Sequence, residues 1–578
     1  MRLNWGSAPI TAFDVFEFFL VALCLAIAFT RPLLFQGRFS QIEQMLSRLS
    51  RRPWLCALVL FALPVSLRLI LLPVYGVPAP FISDEYAYLL QADTFAHGRL
   101  TNPPPPFPDR FASVYVMTEP TYTAEYQPAQ GSVLAAGQAI TGAPWSGVLV
   151  SMGVLCVVVY WALLAWLPSQ WAFAGTLLIV GVELGVLSYW MNSYWGGCVP
   201  AIGGALVLGG LVRLRDRKRA VFSLVTAAGL VILFNSRPLE GAFLGVLVLS
   251  TLLYWTLLSR QIGPGALLGR VAPVLALSGV LALAFAGYYN SHVTGKVSEF
   301  PYLRYRSEYG LPQGFFWQKP VTLSKPVPSD IRAEYEDQLR QHERRESFKA
   351  LLGATAGKLR RFWEFYVGIP LTLTLLFLPF IWRKPNMGLA FWALVLVLGV
   401  DNLLFFAYFP HYSAPVTVLI VLVIIQCLRQ MRASGRTGLF LARALPAVCV
   451  VCLLVPLCGR LLEPVLPSQL SGIKGLWASE FAHDTSRENF VPALQHQTGQ
   501  QLVFVRYRPF DGRKKFEWIY NRADIQDSKI IWIRESHGSN DDMRVLARFA
   551  GRTIWLAEPD ADPPRITPYS SAGSGGSE

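Results

Sequence analysis

The chain has 578 residues, of which 53% are hydrophobic and only 15% charged. A soluble protein carries roughly 25% charged residues, so this composition excludes an ordinary water-soluble globule; the apolar residues gather in runs of about 17 to 22, the length that crosses a ~30 Å hydrocarbon core. The formal net charge of +14 does not point to nucleic acid, because much of it sits in short loops between apolar runs, where it sets topology.

The first apolar run, 13–30, lacks the basic start and small-residue cleavage site of a signal peptide and reads as a retained helix. About twelve spans are expected, near 12–30, 54–75, 146–167, 170–189, 197–213, 220–235, 239–258, 270–288, 362–382, 387–406, 412–429 and 441–458. Alternate loops then hold the basic residues: Arg31, Arg38, Arg48, Arg51 and Arg52, then Arg213 to Arg219, Arg383 and Lys384, and finally Arg429, Arg432, Arg436 and Arg443. By the positive-inside rule those loops are cytoplasmic, and 76–145, 289–361 and 459–578 share the outer face of a plasma (bacterial inner) membrane. The expected organisation is therefore two spans with a basic loop (1–75), a first outer loop (76–145), spans (146–288), a second outer loop (289–361), spans (362–458), a small outer α/β domain (459–565) and a flexible tail (566–578). All eight cysteines lie in or beside apolar segments; Cys449 and Cys452 sit in AVCVVCLL without ligand partners. They read as small membrane-buried residues rather than a disulfide or zinc framework.

The first long hydrophilic interruption begins FISDEYAYLLQADTFAHGRLTNPPPPFP. Ser83 reads as the N-cap of a short amphipathic helix lying along the membrane interface, with Asp84 and Glu85 in the first turn, where acids suit the helix dipole. Pro103 to Pro106 forbid its passing Asn102. A capped helix is also a good way to hold a catalytic carboxylate, and both readings stay open. Glycines in WMNSYWGGCVPAIGGALVLGG suit close helix packing, and Tyr189, Trp190, Tyr194 and Trp195 suit an interfacial aromatic belt.

In the turn FNSRPLEG, Arg237 is either a snorkelling arginine paired with Glu240 or a phosphate contact. The second outer loop combines Arg304 and Arg306 with Tyr302, Tyr305 and Tyr309, a composition suited to a sugar–phosphate but also to a solvated loop; 332–349 reads as a solvated helix. The last outer turn, FAYFPHYSAP, carries His411. Asp401, Glu183 and Arg68, ionisable residues inside spans, are functional hypotheses by default, with helix-to-helix contact the competing account. Beyond Pro464, strands are expected at 502–507, 530–534 and 553–558 with a helix at 541–549, an α/β unit read as accessory. Asp511, Asp524 and Asp527 read there as turn-formers.

No P-loop, GxGxxG, HExxH or GxSxG motif is present, so ATP-driven transport, dinucleotide chemistry, zincin proteolysis and serine hydrolysis lose support. An outer-face acid beside long loops on a many-helix bundle suits transfer from a lipid donor. Such a donor needs a carboxylate as general base toward an acceptor hydroxyl and a cation for the departing phosphate.

The pair Asp84-Glu85 followed by Tyr86 and Tyr88, in the first large outer loop, resembles the GT-C glycosyltransferases. The similarity is to the family 39 branch, with its protein O-mannosyltransferases and lipid A aminoarabinose transferases. ADTFAHGRLTNP, EYQPAQG, SYWGG, NSRPLEG and PHYSAP extend the likeness over about residues 80 to 415. The resemblance implies a GT-C-like bundle that acts as a hexosyl- or pentosyltransferase, with a polyprenyl-phosphate sugar donor and a lipid, glycan or protein acceptor. Carried over, Asp84 is the catalytic acid/base and Glu85 its companion; Tyr88, Arg306 and His411 are the further substrate-binding candidates. EYQPAQG lacks the lysine that relatives often have there, so Arg99, Arg237 or Arg304 is expected to bind the phosphate. No ligand cluster marks a metal, although the chemistry leaves room for an assisting divalent cation. A secondary transporter and a non-catalytic envelope scaffold are the alternatives.

Overall fold

The computed structural model describes residues 12–186, 188–217, 219–309, 315, 317–319, 327–343, 348–382, 384, 387–401, 408–461, 486–508, 518–536 and 540–569. Asn402, Asp511 and the tail from 570 onward lie outside them, as does most of 310–326.

Apolar runs of membrane-crossing length become helices because a helix satisfies its own backbone hydrogen bonds in hydrocarbon. Among the described residues nine helices are long and apolar enough to cross a membrane. A bent pair, Lys349–Tyr366 and Gly368–Ile381 (97° apart), makes a tenth, and Val221–Phe234 and Met387–Gly399 are shorter apolar helices. Each expected span coincides with one of these, and the chain is a multi-pass membrane protein. Proline opens several of the helices (Pro53, Pro128, Pro238), where its missing N–H has no intrahelical acceptor to lose.

Small residues set the packing. A Cβ on Gly204 would stand 1.7 Å from the Pro415 carbonyl oxygen, so only glycine lets the Cys198–Arg217 helix approach the PHYSAP segment. The aromatics Tyr189, Trp190, Tyr194 and Trp195 are buried rather than arrayed as a lipid-facing belt. They pack inside the bundle beneath the hydrophilic loops. At the basic ends of the helices, Glu43 pairs with both Arg432 and Arg443, tying the first basic loop to the last. Arg68 donates to Asn192 Oδ1 (2.6 Å) and the Gly76 carbonyl (2.7 Å), the helix-to-loop contact that competes with a functional reading. The cysteines at 56, 156, 198, 427, 449 and 452 are buried and unpaired, and Cys24 is half-buried.

The first loop's helix runs Ser83–Ala96 and is largely buried within the protein, without the exposed polar face of an amphipathic surface helix. Its N-cap position is Ile82, with extended backbone, so Ser83 is the first helical residue and supplies no side-chain cap. The helix stops at Ala96, ahead of the prolines, where Gly98 turns left-handed (φ 71°). A two-stranded hairpin follows, β1 (Val116–Met117) with β2 (Thr123–Ala124).

The C-terminal unit is a four-stranded sheet, β3 (Gln501–Val505), β4 (Ile530–Arg534), β5 (Thr553–Glu558) and β6 (Arg565–Pro568), in the order β4-β3-β5-β6. β3 is parallel to both neighbours and β6 runs antiparallel to β5. Residues 566–568 thus belong to a strand and not to the tail. The unit shares one apolar core with the first loop: Tyr86, Leu90, Phe111, Val116 and Tyr122 pack with Leu502, Phe504, Tyr520, Ile533 and Phe549. All three hydrophilic segments meet here, since the Tyr305 hydroxyl accepts from Tyr115 N–H (2.8 Å) and Tyr520 donates to the Val114 carbonyl (2.7 Å).

Candidate active site

A cavity of about 530 Å³ opens where the first and second hydrophilic loops meet the helix ends. Five of the sequence candidates line it: Asp84, Tyr88, Arg237, Arg306 and His411. They arrive from four separate stretches of chain. Asp84 and Tyr88 lie four residues apart on the Ser83–Ala96 helix and so share one face. Arg237 ends the turn before the helix opened by Pro238. Arg306 comes from the Pro301–Tyr309 helix and His411 from the PHYSAP turn.

The Asp84 carboxylate accepts hydrogen bonds from the Tyr126 hydroxyl and the Trp195 indole. Burial outweighs both and lifts its pKa to about 6. The Tyr126 ring stacks on Tyr88 at 4.4 Å and 18°, so the acid stands at the edge of an aromatic wall continued by Tyr115. On the arginine side, the Arg237 guanidinium lies 4.0 Å from the Tyr412 ring centroid and 3.8 Å from Glu240. Burial works against its charge, but Glu240 and the neighbouring phenols hold its pKa above the ordinary value. Arg306 is buried 4.4 Å from the Tyr302 ring centroid, its pKa likewise held up by Tyr302 and Glu125. Both cations therefore stay charged in a partly dry site. The Tyr189 hydroxyl accepts from the His411 backbone N–H (3.0 Å) and stands 3.0 Å from its Nδ1, which fixes the orientation of the imidazole at the cavity.

The two readings of Arg237 turn out to be compatible, because the Glu240 contact holds a guanidinium that still lines the cavity. Three sequence candidates are placed elsewhere. Glu85 is wholly buried outside the cavity; its carboxylate accepts from Tyr194 N–H (2.8 Å) and Phe81 N–H (3.1 Å) and joins the first loop to the SYWGG segment. Burial raises its pKa to about 8 against the pull of those amides. Arg304 lies between Glu299 (3.6 Å) and Glu308 (3.7 Å), a pairing that turns it away from the cavity. Arg99 folds back after the left-handed Gly98, its N–H bonded to the Thr94 carbonyl, and does not line the cavity either.

Replacing Glu85 by Gln would set an amide donor against a backbone N–H that now has an acceptor. The expected cost is about 2 kcal/mol, the scale of leaving one buried backbone N–H without its acceptor. A melting curve of the purified protein in detergent should shift down, with lipid binding at saturating ligand unchanged.

The cavity also holds a residue that sequence reasoning missed. Glu125 is 1% exposed, and its Oε2 has no hydrogen-bond partner among the described residues. Burial raises its pKa to about 8, with Arg306 pulling it down and Asp84 pushing it up. EYQPAQG stands out as a segment, but a single glutamate between Ala124 and Tyr126 carries no spacing signal. Among the described residues no group of three or more His, Cys, Asp or Glu side chains is placed to hold a metal ion. Asp401 accepts from Ser413 (2.8 Å) and its backbone carbonyl from Lys358 (3.0 Å), which makes it part of the packing behind the PHYSAP turn. Glu183 meets Cys449 on a neighbouring helix, a polar contact between spans.

No protein-family model and no curated protein sequence matches the chain. Among solved structures, the chain is similar to ArnT from Cupriavidus metallidurans bound to undecaprenyl phosphate, at 14% identity and TM-score 0.47 over 87% of this chain and 92% of that one. It is also similar to the Archaeoglobus fulgidus oligosaccharyltransferase in the apo form, at 10% identity and TM-score 0.43 over 80% of this chain and 63% of that one.

Proposed function

We propose that the protein is a membrane glycosyltransferase that moves a sugar from a polyprenyl-phosphate donor to an acceptor hydroxyl. The observation that carries this reading is the meeting, in one aromatic-walled cavity at the end of a membrane bundle, of the Asp84 carboxylate with the guanidiniums of Arg237 and Arg306. In the proposed reaction Asp84 takes the proton of the acceptor O–H as that oxygen bonds to the anomeric carbon. The bond from that carbon to the phosphate oxygen breaks, and its electron pair leaves with the polyprenyl phosphate. The guanidiniums stabilise that leaving charge, which is worth more in a water-poor site than in water. Tyr88, Tyr126 and Tyr412 offer ring faces to the sugar, and the His411 imidazole a polar edge.

Glu125, with a pKa pushed to about 8, enters as an acid. Two carboxyls whose environments separate their pKa values suit an acid and a base working at one pH. Protonated at neutral pH, Glu125 donates to the leaving phosphate or to a sugar hydroxyl. Glu85 is assigned a positioning role through Tyr194 and Phe81 rather than chemistry. The charge asymmetry of the loops supports a reaction on the outer face. Lipid, glycan and protein hydroxyls all satisfy the chemistry of the acceptor.

The test is transfer from labelled polyprenyl-phosphate sugars in vesicles carrying the purified protein. Activity should follow a bell in pH. The base must be ionised, so the rate rises with pH through about 6, the value for Asp84. The acid must be protonated, so the rate falls again through about 8, the value for Glu125. Glu125→Gln should flatten the alkaline limb, keep the acid limb, and lower kcat by about 10- to 100-fold. An unchanged alkaline limb in that variant would remove Glu125 from the chemistry.

A further inference from the structure

The C-terminal unit touches the helix that carries Asp84, on its opposite side. Positions 84 and 86 stand about 200° apart on a helix of 3.6 residues per turn, so with Asp84 at the cavity Tyr86 points away from it. Tyr86 is 6% exposed, and its ring stacks on Tyr520 at 4.7 Å and 15°. Its hydroxyl lies 2.9 Å from Glu488 Oε1 and 3.0 Å from the Pro80 carbonyl, and the Arg487 guanidinium stands 5.1 Å from its ring centroid. Arg487 in turn donates to the Tyr520 carbonyl (2.9 Å). At the far end of the same helix Asp93 accepts from Ala523 N–H at 2.9 Å. One short segment of the C-terminal unit, 520–523, thus grips both the first and the last turn of the helix.

The attachment is reinforced from the other direction. Arg110 of the first loop donates to the Arg534 carbonyl and pairs with Asp542, beside the Phe504 ring. Arg534 is the last residue of β4, so Arg110 occupies the carboxyl end of the parallel strands, the edge at which open α/β sheets ordinarily receive a ligand. The chain fills that edge with its own first loop.

We propose that the C-terminal α/β unit is an intramolecular clamp that sets the rotation of the Ser83–Ala96 helix and so aims Asp84, with Tyr520 as its positioning residue. The kinetic part of this proposal rests on the transferase reading above; the mechanical part does not. Arg237 and Arg306, which belong to the bundle and the second loop, lie outside the clamp's grip.

The test compares full-length wild type with Tyr520→Ala and Tyr520→Phe by amide hydrogen exchange and by transfer kinetics. In Tyr520→Ala, exchange across residues 83–96 should accelerate at least about tenfold while the membrane helices keep their protection. The same variant should lose kcat by at least about tenfold with donor KM held within about twofold, because a misaimed acid costs rate rather than lipid binding. Tyr520→Phe keeps the stacked ring and should recover most of both. Arg544→Ala, on the exposed outer surface of the same unit, should change nothing. Wild-type exchange over 83–96 in Tyr520→Ala overturns the clamp whatever the transfer assay gives, and so does protection lost equally in every helix. Accelerated exchange confined to 83–96, with no transfer even by wild type, supports the clamp and rejects the transferase reading.

Discussion

Asp84→Asn should lower kcat by about a thousandfold, within the range that a positioned general base contributes. The substitution keeps the size of the side chain and an oxygen that still accepts from Tyr126, so helix and cavity should survive it. What disappears is the ability to take a proton. The rate that remains should also lose its acid limb: in wild type the limb near pH 6 is the ionisation of this buried carboxyl, and an amide has none. Binding of polyprenyl phosphate should stay within about threefold, because removing a negative charge from the cavity does not weaken, and slightly favours, an anionic ligand. A variant that retained the wild-type rate would reduce Asp84 to a residue of the first helical turn, where acids are favoured in any case.

The second large effect belongs to the arginines. Arg306→Gln and Arg237→Lys should each lower kcat/KM by about 10- to 100-fold, and the double variant by more than either. For Arg237 the conservative change is the informative one. Lysine keeps a cation beside Glu240, which would otherwise be left buried without its counter-charge, yet it removes the planar fork and its stacking on Tyr412. If the fork contacts phosphate, Arg237→Lys raises donor KM with little change in melting temperature. If Arg237 only neutralises Glu240, Arg237→Lys behaves as wild type. The comparison separates the two roles that the sequence leaves open for this residue. Arg304→Gln serves as the internal reference: it carries the same charge change in the same loop, but its ion pairs lie outside the cavity, and it should leave transfer unaltered.

Much of the architecture is legible from the sequence because a membrane imposes one rule on every span, a run of apolar residues as long as the hydrocarbon is thick. The strands of the C-terminal unit are legible for a similar local reason, in Leu-Val-Phe-Val and Ile-Ile-Trp-Ile. Arg237 and His411 stand out because each is an ionisable group in a short turn between apolar runs, and Asp84 because an acidic pair opens the first long hydrophilic loop. Direction is what the sequence does not carry. Arg304 and Arg306 are two residues apart and look alike, yet they point to opposite sides of one short helix, one into the cavity and one toward Glu299 and Glu308. Asp84 and Glu85 read as a pair, but adjacent residues on a helix diverge by about 100°, so only one of them reaches the cavity. The burial of the Ser83–Ala96 helix had a clue, its two interleaved apolar stripes, Ala87 with Leu90 and Leu89 with Ala92 and Ala96. A helix at an interface needs one such stripe; two mean packing on both sides, here against the bundle and against the C-terminal unit. The shared core also argues against a detachable scaffold domain, since neither partner buries that apolar surface alone.

The central claim is that Asp84 performs the chemical step on a lipid-linked sugar whose phosphate the arginines hold. Single-turnover transfer isolates that step. Labelled polyprenyl-phosphate sugar is bound to wild type and to Asp84→Asn in reconstituted vesicles, acceptor is added, and the first turnover is timed. The account predicts that both proteins bind the donor and that only wild type converts it at an appreciable rate. Equal first-turnover rates in the two proteins would contradict it.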